Sequence, residues 1–271
     1  MRAIENPREG KFDGSSPLTV VEVTTEQQFD SFITCLKDVF TDPTDLESDE
    51  TFAQLFHSPA LARFYALIDS DGSIIGVQLI RINPHVPDAM YIPYGGLVAE
   101  HRGTGLYPPM ARYTADRMLE RGVKYSLNDV EDPGRIGGVY PNENQDEVVR
   151  RCQRRINFFK RSLGTHFVND GSAPYCRPAS NDPQEIQAYD LPGIRPLDVT
   201  DPFWRTVFND KKTAIRKDAY EQMYLSLMQI EYGSEHSVPS LADLRGEYPA
   251  SALFFETLER CQKEWIALDQ S

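Results

Sequence analysis

Apolar positions recur along this chain in two rhythms, and their order predicts alternating strands and helices. Residues 18–23 alternate as a half-buried strand does. Thr24 and Thr25, followed by Gln27 and Gln28, form a capping-box pattern. Behind it Phe29, Phe32, Ile33, Leu36, Val39 and Phe40 make an apolar stripe at helical spacing. An acidic loop or short helix, 42–50, comes next. Residues 64–68 and 74–82 flank Asp69-Ser70-Asp71-Gly72-Ser73 and read as a hairpin. Residues 89–98 form a further strand, interrupted by Pro93 and by Gly95-Gly96, which predict a bulge or splay that exposes backbone groups.

Ala111, Ala115, Met118 and Leu119 give a helix face stopped at Gly122, and residues 123–127 a short strand running into Asn128-Asp129-Val130-Glu131-Asp132-Pro133. After a glycine-rich loop, 134–144, comes the strongest helical stripe: Val149, Cys152, Ile156, Phe159 and Leu163, closed by Gly164. Residues 165–176 and 185–191 are expected as a final antiparallel pair. From Asp201 onward the chain reads as helices, the longest being 214–232 and 250–268. In that stretch Phe254, Phe255 and Leu258 form a core or lid stripe. The expected organisation is a mobile tail (1–16), an α/β domain (17–198) and a helical extension (199–271).

Composition narrows the classes of function. Lys and Arg number 28 against 41 Asp and Glu, a net charge of −13. A field of that sign repels phosphate backbones and draws cations such as amines, so nucleic acid is not an expected partner. Cys35, Cys152, Cys176 and Cys261 contain no CxxC pair, as suits reduced thiols in a cytoplasm. No apolar run has the length of a membrane span, the five histidines have no metal-ligand spacing, and neither GxSxG nor GxxxxGK[ST] occurs.

Chemistry concentrates in residues 97–110, LVAEHRGTGLYPPM. Arg102, Gly103, Thr104 and Gly105 form a polar turn between strand and helix. Unpaired N–H groups at such a helix start, beside the positive end of the helix dipole, favour an anion such as a pyrophosphate. The glycines let phosphate oxygens approach the backbone, and Pro108 and Pro109 suit the first helical turn.

The element order, together with this turn, resembles the GNAT superfamily of acyl-CoA-dependent N-acyltransferases over residues 18–198. The resemblance implies a mixed, mostly antiparallel sheet flanked by helices. It also implies acetyl-CoA or another acyl-CoA as co-substrate, and no metal. Arg102, Gly103, Thr104, Gly105, Leu106 and Tyr107 would line the pyrophosphate turn, with Tyr107 where the family has a small residue. Leu97 and Val98 would pair with the pantetheine arm, the Val98 N–H polarising the thioester carbonyl. RINFFKRSLGTHFV, residues 155–168, resembles the family's "FYERLGF" ending, but Phe159 stands where a tyrosine acid is common and Cys152 roughly where an asparagine is. A general acid would then come from Tyr140 or Tyr175. Glu131-Asp132-Pro133 matches an acidic "EDP" found in some subgroups.

Acylating an amine requires its free base, about one part in a thousand at neutral pH for an alkyl ammonium. Glu131 is the first candidate to take that proton, and Asp129 lies on the same side of the strand. Glu100 and His101 are close in sequence to the thioester position. Arg150, Arg151, Arg154, Arg155, Lys160 and Arg161 line one helix, as a solvated face or as attraction for the adenosine 3′-phosphate. Tyr91, Tyr94 and Tyr125 are expected to pack or to line the pocket. The expected activity is acyl transfer to a small-molecule or peptide amine, with no nucleic-acid or membrane partner and a homodimer left open. Phe159 and Tyr107 support the alternative of a catalytically silent acyl-CoA-binding or regulatory protein.

Overall fold

The computed structural model describes residues 18–42, 46–136, 140, 143–173, 175–178, 184–187 and 190–269. The expected tail lies outside them, and the loop 134–144 is described only in part. In chain order the strands are β1 (Thr19–Glu22), β2 (Ala62–Ile68), β3 (Ile74–Arg81), β4 (Ala89–Leu97), β5 (Tyr125–Glu131), β6 (His166–Phe167), β7 (Arg177–Pro178), β8 (Ile186–Gln187) and β9 (Asp190–Pro196). Seven of them form one α/β sheet in the order β1-β2-β3-β4-β5-β9-β6. Every neighbouring pair is antiparallel except β4 with β5.

Helices α1 (Glu26–Val39) and α2 (Asp49–His57) cover one face of the first strands, and α3 (Tyr107–Leu119) covers the other. Strand alternation divides the core accordingly. Phe64, Ala66, Val77 and Leu79 meet Phe32, Leu36 and Phe52 on one side, while Tyr65, Leu67 and Ile80 meet Met110 and Met118 on the other. The Thr25 hydroxyl accepts from the Gln28 N–H and the Gln28 side chain accepts from the Thr25 N–H, both at 3.3 Å, so α1 starts at the expected box. Helix α4 (Gln145–Phe158) buries Val148, Cys152 and Ile156; Val149, expected on the apolar stripe, is exposed. A π-helical turn, Phe159–Leu163, ends it at Gly164, whose φ of 71° is the left-handed conformation glycine adopts without strain.

Three expectations need correction. The strand placed at 123–127 runs to Glu131, so Asp129 and Glu131 stand on it. The final antiparallel pair is not 165–176 with 185–191: β9 pairs with β5 and with the two-residue β6, while β7 and β8 form a separate ribbon. Beyond Asp201, the chain forms α5 (Trp204–Val207), α6 (Lys217–Tyr232), α7 (Leu241–Glu247) and α8 (Pro249–Arg260). It also forms a second ribbon of β10 (Ala214–Arg216) and β11 (Trp265–Ala267), where continuous helix was expected. This segment shares a core with the sheet. Tyr224, Leu227, Phe254 and Phe255 pack in one cluster with Ala89, Tyr91, Leu127 and Ile194, which makes the Phe254 stripe core.

Candidate active site

β4 and β5 pair only from Ala89 to Tyr91 against Tyr125 to Leu127, and then part. The cause lies in β4. Leu79 pairs with Tyr94 but Arg81 pairs with Tyr91, so β4 carries one residue more than β3 around Ile92 and Pro93. Such a bulge bends its strand, and proline cannot donate to a ladder. The parted strands enclose a cavity of about 1000 Å³. Pro93, Gly95, Gly96 and Leu97 line one wall and residues 128–131 the other, with Arg102, Gly103 and Tyr107 also lining it.

Which backbone groups face this opening follows from the register. The Val98 N–H donates to the Ile75 carbonyl at 3.1 Å, so it is taken by β3 and cannot polarise a carbonyl in the cavity. Because bonding direction alternates along an antiparallel strand, Gly95 and Leu97 turn their N–H groups away from β3, toward the opening. The expectation for Val98 is thereby corrected: its N–H lies on the β3 side, and on a strand whose bonding direction alternates it is the N–H of the preceding residue that faces the opening.

The turn that follows is open. Gly103 and Gly105 have φ of 77° and 80°, and no atom lies within 4 Å of where a Cβ would stand at either. Among the described residues, no protein acceptor serves the N–H groups of Gly105, Leu106 and Tyr107. Pro108 and Pro109 remove two donors a helix start would otherwise offer, so the donors left at this helix start are those of the turn itself. The Arg102 side chain donates to the Leu97 carbonyl at 3.1 Å and to the Val39 carbonyl at 2.9 Å, fastening the turn to β4 and α1. The Thr104 hydroxyl donates to the His101 carbonyl at 2.6 Å. Glu100 and His101 occupy a 3₁₀ turn and do not line the cavity.

Tyr107 sends its side chain inward, away from the open face of the turn. A Cβ on Gly95 would sit 2.1 Å from the Tyr107 hydroxyl, so this ring lies across β4 only because residue 95 has no side chain. Its other neighbour is the Phe158 ring, at 5.8 Å between centroids. Burial pushes the phenol up to about 12, against the opposing pull of the Arg195 guanidinium.

Two carboxylates face the cavity from β5. Asp129 accepts from the Tyr91 hydroxyl at 3.2 Å and from the Tyr175 hydroxyl at 3.4 Å. Glu131 accepts from the Tyr140 hydroxyl at 3.3 Å on one oxygen and from Arg155 in an ion pair on the other. Tyr140 and Tyr175 are thus each bonded to a carboxylate. Phe159 packs edge-on against Phe158 and Phe167, and Cys152 is buried, its thiol pushed up chiefly by desolvation. Of the six basic residues on α4 and its end, Arg151 pairs with Glu143, Arg155 with Glu131 and Lys160 with Asp269, while Arg150, Arg154 and Arg161 are exposed. Tyr94 packs on Phe40 and Phe52, and Tyr125 is buried. Among the described residues no cluster of three or more metal-ligating side chains occurs, and no helix is long and apolar enough to cross a membrane.

This architecture is shared with solved structures. A GNAT-family protein from Bacteroides thetaiotaomicron superposes with a TM-score of 0.50 at 17% identity, covering 79% of this chain and 98% of that one. The aminoglycoside 6′-N-acetyltransferase from Enterococcus faecium gives 0.47 at 13% identity over 66% of this chain and 97% of its own. An aminoglycoside 6′-N-acetyltransferase complexed with coenzyme A gives 0.46 at 14%, over 66% and 97%. No protein-family profile and no curated protein sequence matches the chain. What the likeness establishes is the GNAT fold, a mostly antiparallel seven-stranded sheet with flanking helices.

Proposed function

We propose that this protein is an acyl-CoA-dependent N-acyltransferase, with acetyl-CoA as donor and a primary amine as acceptor. The observation that carries the reading is the course of β4: its bulge turns the Gly95 and Leu97 N–H groups into the opening, and the strand leads directly into a turn of unengaged donors. Glycines with open space at the turn suit a pyrophosphate, and the parted strands suit an extended arm. The co-substrate, when bound, supplies a thioester for the amine to attack.

Residues of this chain then have distinct tasks. The Gly95 or Leu97 N–H donates to the carbonyl oxygen as charge develops there, a contribution of about 3–4 kcal/mol for one such donor in other acyl transfers. Asp129 takes the ammonium proton: it faces the cavity from β5 with the Tyr91 and Tyr175 hydroxyls donating to it, whereas Glu131 is held in an ion pair with Arg155 that taking the proton would break. The amine nitrogen bonds to the carbonyl carbon as the carbon–sulfur bond breaks, and the electron pair leaves on sulfur. Tyr107, still protonated across the neutral range, donates a hydrogen bond to that sulfur in place of Phe159. The four cysteines are all buried and unbridged, which supports work in a reducing cytoplasm.

The test is thermal unfolding with and without acetyl-CoA, then an amine screen that reports free thiol. Ligand at 100 times its dissociation constant adds about 2.7 kcal/mol, or roughly 5–10 °C in midpoint for a chain of this size. No shift overturns the proposal. A shift with no thiol release from any amine favours the second reading, a silent acyl-CoA-binding protein, which the missing hydroxyl at Phe159 supports.

A further inference from the structure

Asp129 takes one hydroxyl partner from a part of the chain with little regular structure of its own. Tyr175 lies between β6 and β7, and its hydroxyl reaches Asp129 from there at 3.4 Å. What holds it comes from the C-terminal helices. The Tyr224 hydroxyl, on α6, donates to the Cys176 carbonyl at 2.6 Å, and the Tyr224 ring meets the Tyr175 ring edge-on at 5.8 Å. Tyr224 is itself 2% exposed and lies flat on Phe254 of α8, with centroids 3.7 Å apart and planes 10° from parallel. One rigid stack thus runs from α8 through α6 to the residue that touches the cavity carboxylate.

We propose that Tyr224 is a positioning residue for Asp129, acting through the segment Tyr175-Cys176, so that the C-terminal helices set the geometry of the acceptor side of the cavity. The proposal rests on the acyltransferase reading for its kinetic consequence and on geometry alone for its structural one. A phenol bonded to a main-chain carbonyl next to Tyr175 fixes both the height and the direction of that side chain. The stacked face against Phe254 prevents Tyr224 from following if Tyr175 moves.

The experiment is a kinetic cycle with a crystallographic readout on the full chain. Tyr224→Phe keeps the ring and its stack and removes the hydroxyl, with its bond to the Cys176 carbonyl and its 3.4 Å contact with the Ser251 hydroxyl. It is expected to lower kcat on the order of 10-fold, less than the roughly 100-fold that an ångström of misplacement can cost, with KM for acetyl-CoA unchanged. Tyr175→Phe is expected to lower kcat at least as much, and the double variant to be no slower than Tyr175→Phe, because the two act in series. Crystals of Tyr224→Phe should show the Tyr175 hydroxyl beyond hydrogen-bond distance from Asp129. Effects that multiply, or a Tyr175–Asp129 contact unchanged in Tyr224→Phe, would overturn the proposal. If Tyr224→Phe does not fold, Phe254→Leu loosens the same stack while keeping the Tyr224 hydroxyl, and an unmoved Tyr175 there overturns it equally. Should the wild-type protein acylate no amine, the functional reading fails while the crystal structures still decide whether Tyr224 places Tyr175.

Discussion

Replacing Asp170 should cost the protein a large share of its stability, for reasons that can be counted. This side chain is 6% exposed and accepts from Lys263 at 2.8 and 2.9 Å, from the Ser172 hydroxyl at 2.7 Å, and from the Ser172 and Ala267 N–H groups at 2.9 and 3.0 Å. Asp170→Ala would take a charged acceptor away from two backbone donors, at about 1.5–3 kcal/mol each. Lys263 is half exposed and adds at most about 1 kcal/mol. We therefore expect a loss of about 3–4 kcal/mol, a fall of roughly 1 M in the urea midpoint if the slope is near 3 kcal/mol/M. Burial raises the Asp170 carboxyl, but Lys263, Ser172 and Ala267 more than offset it and hold the group well below the usual carboxylate range. A depressed acid stabilises the fold above its unfolded value, about 3.9, and loses that contribution as pH falls through the folded one. Wild type should therefore lose stability below about pH 4 more steeply than Asp170→Asn. A change under about 0.5 kcal/mol in Asp170→Ala, or equal acid slopes, would refute the reasoning.

Other outcomes follow from the cavity. Gly95→Ala places a methyl 2.1 Å from the Tyr107 hydroxyl and should destabilise by about 1–3 kcal/mol; Tyr107→Phe in the same chain should recover part of this, because the next ring atom is 3.1 Å away. Gly105→Trp has room for its side chain but imposes an unfavourable φ of 80° and covers the turn's donors, so the rise in melting temperature with acetyl-CoA should disappear. Asp129→Asn should reduce kcat by about 10²–10⁴-fold with acetyl-CoA binding by calorimetry unchanged. Glu131→Gln, in contrast, should cost less; the reverse ranking would return the base to Glu131.

Local signals were legible in the sequence and distant ones were not. The α1 capping box, the β2–β3 hairpin and the glycine turn each depend on residues within a few positions of one another, so pattern and spacing suffice. The interruption at Pro93 pointed to a splay, but the bulge also shifts which N–H groups face it, and that register is set by β3 rather than by β4 alone. Asp129 was legible as a candidate because it follows an apolar run. Its partners were not, since Tyr91 and Tyr175 come from 38 residues before and 46 after. Likewise, residues 265–267 continue an apolar rhythm begun in α8, and only pairing with Ala214 to Arg216 makes them a strand.

The insertion of β9 between β5 and β6 has a consequence for how the protein is made. β1 to β4 pair with near neighbours in sequence, so one wall of the cavity can assemble soon after it leaves the ribosome. β5, by contrast, makes most of its pairing with residues 190–196 and is packed against helices completed only at residue 260. During synthesis the carboxylate-bearing wall waits for more than a hundred further residues, its edge exposed in the meantime. A nascent chain arrested before β9 would hold the bulged strand and the glycine turn, yet lack the opposing surface that makes a cleft of them.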